Sequence, residues 1–208
     1  MEKEKIPFKE SRIYPVVFMI LITAFFVGIL AFFYHSTKEK VKMHEDMTFK
    51  MAILNSFNLP DNNVNDDYKK YIKEIKSDNL TYFEAKKDTT LLGYAFFIQG
   101  KGLWGSVFSI VSLTPDLEKI IKLTITSQSE TPGLGARITE AWFTDQFSDK
   151  IITVKGSPVK FNLVSENKAE LNNDEIKQIT GATLSTKAVT DMVYNEINRI
   201  KKIIKVNK

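Results

Sequence analysis

Residues 15–34 read PVVFMILITAFFVGILAFFY. No charged side chain interrupts the run. Its length, roughly 20 residues, is what a helix needs to cross a hydrocarbon core of about 30 Å. Tyr14 stands at one end and Phe32, Phe33 and Tyr34 at the other, where aromatic rings suit the two membrane interfaces. A cleaved signal peptide is the competing reading, but it calls for a shorter apolar run and a small-x-small exit. Bulky aromatics fill the exit here, so residues 13–35 are read as a retained transmembrane helix. Lys3, Lys5, Lys9 and Arg12 precede the span and Lys38, Lys40 and Lys42 follow it, so the count of positive charges barely sets the orientation. A short basic N-terminus ahead of a first span usually stays in the cytoplasm. Residues 1–12 are therefore expected there, and residues 36–208 outside the cytoplasmic membrane.

Beyond the span, Lys38 to about Asn55 reads as a helix with Val41, Met47, Met51 and Leu54 roughly on one side. Pro60 and the polar run Asp61–Asp67 then break the chain. Residues 36–67 are thus expected to form a juxtamembrane helix and linker, and residues 68–208 a globular body. Tyr68–Ile75 reads as a short charged helix. Leu91–Gln99, Ser106–Leu113 and Ile120–Ser127 read as strands, the last two alternating and joined by a turn at Thr114–Glu118. Arg137–Phe147 looks helical, and Ile151–Val154 and Val159–Val164 are weaker strands. Leu184 to about Ile204 is an amphipathic helix with Leu184, Ala188, Val189, Met192, Val193, Ile197, Ile200 and Ile203 along one face. The predicted class is α+β: a single N-terminal transmembrane helix followed by a small, largely antiparallel sheet with packed helices.

Composition narrows the chemistry. The net charge is +4, with acids and bases interspersed, which argues against a nucleic-acid partner. The most basic stretch, Arg199–Lys208, reads as a solvated helix face. The absence of cysteine excludes disulfides, thiolate zinc sites and cysteine-ligated iron–sulfur clusters within the chain. The two histidines, His35 and His44, lie beside the apolar span and read as linker residues, so no metal site is expected.

Two segments are not explained by core packing. Ile179–Thr186, ITGATLST, crowds small and hydroxylic residues at the start of the last helix. Simple capping would produce such a pattern. A phosphate site would too, since free N–H groups and the positive dipole end meet at a helix N-terminus. Gly181 and Ala182 leave room for a bulky group there, with Thr180, Thr183 and Ser185 around it. Glu130–Arg137, ETPGLGAR, is either an ordinary connecting loop or a rigid one whose glycines let backbone approach a planar ligand. A lesser feature, GKGLWG at 100–105, holds Trp104 in a glycine-rich turn where it could cover a ring system.

These three motifs, in this order behind a single N-terminal span, resemble the FMN-binding subunits of two related membrane complexes. One is the G subunit of Rnf-type ion-translocating oxidoreductases. The other is the C subunit of the sodium-translocating NADH:quinone reductase. The resemblance covers the chain from about residue 90 onward plus the anchor. It implies that Thr183, the last threonine of TGAT, carries FMN through a phosphoester bond made by a separate flavin transferase. It also implies that Glu130, Thr131, Gly133, Leu134 and Gly135 lie beside the flavin with Trp104 nearby. Where the family often has an acid before the motif, this chain has Lys177. GKGLWG looks more like the quinone reductase protein, whereas the compact length and the ETPGLGAR loop running straight into the next helix favour the Rnf protein. The chain carries no G-x-G-x-x-G fingerprint after a strand, so no independent NADH site and no catalytic residue are expected. The implied role is an electron-transfer subunit relaying electrons between partner subunits of a membrane oxidoreductase. A stand-alone anchored FMN domain and a cofactor-free bitopic scaffold remain as alternatives, although a scaffold leaves the two small-residue loops unexplained.

Overall fold

The structure, a computed structural model, describes residues 13–77, 80–154 and 157–206. The basic flank at Lys3, Lys5, Lys9 and Arg12, and its cytoplasmic placement, lie outside the described residues. The chain divides into two compact units, Met1–Asp46 and Met47–Lys208.

Helix α1 runs from Ile13 to Ser56. Two helices were expected across this span. No Gly or Pro falls between Tyr34 and Asn55, so nothing breaks the hydrogen-bond ladder between them. Within the first unit, every side chain from Phe18 to Asp46 is exposed. By length and composition the helix is long and apolar enough to cross a membrane, and its most apolar window has no buried residue.

The second unit is built on five antiparallel strands in sequence order: β1 (Ile72–Ser77), β2 (Leu80–Lys87), β3 (Thr90–Lys101), β4 (Ser106–Leu113) and β5 (Ile120–Ser127). Alternate side chains point to opposite faces, and both faces are covered. On one, Phe96, Ile98, Val107, Val111, Leu113 and Leu123 pack with Phe143, Phe147 and the apolar stripe Val189, Val193, Ile197 and Ile200 of the last helix. On the other, Phe83, Ala85, Ala95 and Ile110 pack with Ile53, Leu54 and Phe57 at the end of α1. One polar contact across this second interface is between buried serines: Ser112 Oγ donates to Ser56 Oγ at 2.6 Å, and Ser56 Oγ donates to the Ile53 carbonyl at 2.7 Å.

Helix α2 (Val64–Tyr71) precedes the sheet. The charged helix read over Tyr68–Ile75 therefore ends at Tyr71, and the chain turns there into β1, which pairs with β2 along its whole length. After β5 the chain makes a 3₁₀ turn at Gly135–Thr139, a single α-turn α3 (Ala141–Thr144) and another 3₁₀ turn at Asp145–Phe147. The continuous helix expected over 137–147 is broken at Glu140, whose backbone is extended with ψ 140°. Two small pairs follow: β6 (Thr153–Val154) with β7 (Ser157–Pro158), and β8 (Asn162–Val164) with β9 (Glu175–Lys177), the latter parallel. Helix α4 (Thr183–Val206) closes the domain. The class is α+β, as expected.

Candidate functional site

Three local structures meet beside the start of α4. The first is the turn from β3 to β4, closed by the Gly102 N–H donating to the Gly105 carbonyl at 2.7 Å. It leaves Leu103 and Trp104 at its tip, the Trp ring 70% exposed. The second is the loop after β5. The Thr131 carbonyl accepts from Leu134 N–H at 3.2 Å and Ala136 N–H at 3.0 Å, and Gly133 sits at φ +74°, where a side chain would be strained. The third is the turn into α4. Gly181 sits at φ +80°, the Ala182 N–H donates to the Ile179 carbonyl at 2.9 Å, and the helix starts at Thr183.

Thr186 explains how this last turn is held. Its buried hydroxyl accepts from the Ile179 N–H at 3.0 Å and donates to the Ala182 carbonyl at 3.1 Å. That is a structural cap, and it accounts for one of the clustered hydroxyls without any ligand. Thr180 is also engaged: its N–H donates to Glu166 Oε2 at 2.7 Å, while Glu166 Oε1 takes Arg137 Nη2 at 3.3 Å. The Thr180 contact, helped by Arg137, holds the Glu166 carboxyl below the ordinary glutamate range. Arg137 also pairs with Glu140 at 3.3 Å and lies over the Trp142 ring. The segment after the glycine loop is thereby tied to the segment before the helix.

A second tie runs through Glu130. Its side chain is only 5% exposed. Oε1 accepts the N–H groups of Leu103 at 2.8 Å and Trp104 at 3.1 Å, and Oε2 accepts Ser185 Oγ at 2.6 Å. One carboxylate thus joins all three segments. It also accounts for two of the glycines. A Cβ at Gly102 would sit 2.4 Å from Oε1, and one at Gly135 would sit 2.8 Å from Oε2 and 2.6 Å from Ser185 Oγ. Gly135 is therefore required by the packing of the protein on itself. Gly133 has open space around it and is required by its backbone angle.

Between the three segments lies a cavity of about 480 Å³. Of the residues singled out in the sequence, it brings together Trp104, Glu130, Thr131, Leu134, Gly135, Gly181, Ala182, Thr183 and Ser185. Thr180 and Gly133 are not among its lining residues. Sequence reasoning missed Leu103 and Leu184 as part of the wall. Leu184 was expected on the apolar stripe, but nine positions at about 100° each set it on the side of α4 opposite Val193, and it is 61% exposed in the cavity wall. The signal was available, since Leu103 adjoins Trp104 and Leu184 adjoins Thr183. The arrangement offers exposed apolar walls, an exposed Thr183 side chain, and first-turn N–H groups of α4 that have no partner within the helix.

Residues 102–198 match the FMN-binding domain family. The G subunit of the proton-translocating ferredoxin:NAD(+) oxidoreductase complex of Clostridium ljungdahlii is 33% identical over 119 residues, covering 57% of this chain and 59% of that relative. The G subunit of the ion-translocating oxidoreductase complex of Methanosarcina acetivorans is 25% identical, covering 89% of this chain and 92% of that protein. Among solved structures, the C subunit of the Na(+)-translocating NADH-quinone reductase from Parabacteroides distasonis superposes with a TM-score of 0.64 at 26% identity, covering 76% of this chain and 92% of that one. Over residues 102–198 the chain is thus similar to the FMN-binding domain family, and the relatives named here are subunits of ion-translocating oxidoreductase complexes.

Proposed function

We propose that this chain is the membrane-anchored electron-relay subunit of an Rnf-type ion-translocating complex, holding FMN by a phosphoester on Thr183. The observation that carries the proposal is the convergence of three sequence-distant segments on a cavity whose wall includes the exposed Thr183 side chain at the head of a 24-residue helix. The residues fit the group. Ser185 is buried and bonded to Glu130, and Thr186 is buried and used as a cap, which leaves Thr183 as the hydroxyl of the motif that is both exposed and in the cavity wall. A phosphodiester keeps a negative charge, and the N-terminus of α4 stabilises it through its free N–H groups and dipole. Leu103, Trp104, Leu134 and Leu184 present apolar surface for a flat ring. When bound, FMN supplies the electron transfer; the protein supplies attachment, orientation and electrostatics. Covalent attachment keeps the cofactor from being lost to dilution outside the cytoplasm, where the domain at the C-terminal side of the span is placed in this reading.

The relay role is supported by the two kinds of relative, both subunits of multi-subunit ion-translocating complexes. The sequence carries no G-x-G-x-x-G fingerprint after a strand, and in this reading donor and acceptor are other subunits of the complex. Attachment requires a flavin transferase. The test is expression of the full chain with and without a coexpressed flavin transferase, followed by a denaturing gel. A flavin-fluorescent band that depends on the transferase is expected. A band dark under both conditions, from folded protein, would refute covalent attachment.

A further inference from the structure

We propose that Glu130 is the positioning residue of this site: a buried carboxylate that latches three segments together and places a fixed negative charge in the cavity wall. The proposal rests on the reading that the cavity holds FMN.

The bonds of this carboxylate are long in sequence. It reaches back to Leu103 and Trp104, 27 and 26 residues away, and forward 55 residues to Ser185. The helix and the sheet already pack on each other through their apolar faces; what the carboxylate adds is a polar tie that fixes the β3–β4 turn and Ser185 to the glycine loop. A carboxylate offers about four acceptor sites, and three are taken by the protein. Two glycines from two different motifs bracket the group, Gly102 against Oε1 and Gly135 against Oε2. A merely tolerated polar side chain would not be enclosed on both sides by positions that a single methyl would disrupt. What the latch sets is the spacing between the Trp104 tip, the glycine loop and the first turn of α4, and hence the width of the cavity.

The charge has a second consequence. Hydrogen bonds to a carboxylate are stronger than neutral ones, but an amide in its place would still accept from both backbone N–H groups and could donate to Ser185. Glutamate is therefore not needed for the shape alone. A negative charge in the wall of a cavity that holds a redox ring opposes the arrival of electrons there. Glu130 is thus expected to bias the bound flavin toward its oxidised form, in addition to holding the walls.

The experiment uses the full chain, measured both as apo-protein and after FMN loading by a coexpressed flavin transferase, with Glu130→Gln and Glu130→Ala compared with wild type. In the apo-protein, amide hydrogen exchange at Leu103 and Trp104 reads the latch. Exchange is expected to stay slow in Glu130→Gln and to accelerate in Glu130→Ala. In the loaded protein, a redox titration reads the charge. At a fixed potential the reduced-to-oxidised ratio in Glu130→Gln is expected to rise about tenfold, which is ~59 mV for a one-electron step. Unchanged exchange in folded Glu130→Ala would overturn the latch, and a wild-type titration curve in Glu130→Gln would overturn the electrostatic role. If Glu130→Ala does not fold, Glu130→Gln still decides: fast exchange there overturns a latch made by shape. Failure of wild type to load FMN would count against the functional reading instead, and the apo-protein exchange would still judge the latch.

Discussion

Two glycines separated by one residue do different work. Gly135 sits against Ser185 Oγ and the Glu130 carboxylate, where a Cβ would come within 2.6 Å and 2.8 Å. Gly133 has a positive φ of 74° and nothing nearby. Gly135→Ala should therefore cost about 1–3 kcal/mol, through overpacking and disturbance of a buried charged hydrogen bond, whereas Gly133→Ala should cost only about 1 kcal/mol of backbone strain. Denaturant titration of the two variants in detergent checks the order; a larger loss at Gly133 would contradict it. A second residue-scale expectation concerns Glu166. Its carboxyl is held below its ordinary value of 4.5, first by Thr180 and then by Arg137. The stabilisation is accordingly present above that value and is lost as the pH falls through the lower folded value. Wild type should be more stable than Glu166→Gln near neutral pH, and the gap should close in acid. A gap independent of pH would remove the ionic contribution. At this scale the hydroxyl cluster around Thr183 was legible, because it is contiguous in sequence. The job of Glu130 was not: its partners lie 26 to 55 residues away, and no local pattern announces a bond of that span.

Elements with a regular apolar period were read well. β4 and β5 fall where alternation placed them, and α4 buries its apolar stripe from Val189 to Ile200, with Leu184 lying off it. β1 and β2 were not read as strands. Their exposed positions carry Lys and Glu, as in IKEIKS, and charge of that density also suits a helix. Pairing across the sheet decides the matter, and lysines on the edge strand β1 guard it against further pairing. The break at Glu140 was likewise invisible, since it lies in the backbone angle and the residue itself is a good helix former. The helix α4 gives a test at this scale. Ile197→Ala and Ile200→Ala remove side chains that are 2% and 0% exposed and should each cost about 2–5 kcal/mol. Leu184→Ala, at 61% exposure on the same helix, should change stability by no more than about 0.5 kcal/mol. Comparable losses at all three positions would mean that Leu184 is core and the cavity wall has been misplaced.

For the molecule as a whole, the apolar window of α1 with no buried residue needs a non-aqueous partner, and a bilayer is the proposed one. The full chain should stay with membranes through alkaline carbonate washing, and a reporter fused after Lys208 should be active only outside the cytoplasm. Release by carbonate would argue against a span, and a cytoplasmic reporter against the proposed orientation. The most direct test is of the attachment itself. Full chain coexpressed with a flavin transferase is digested, and the peptide carrying residues 178–187 is sequenced by mass spectrometry. The expected result is the mass of FMN less one water on Thr183, absent from Thr183→Val, which keeps the side-chain shape without the hydroxyl. An adduct that survives in Thr183→Val, or that maps to another residue in wild type, would contradict the central assignment.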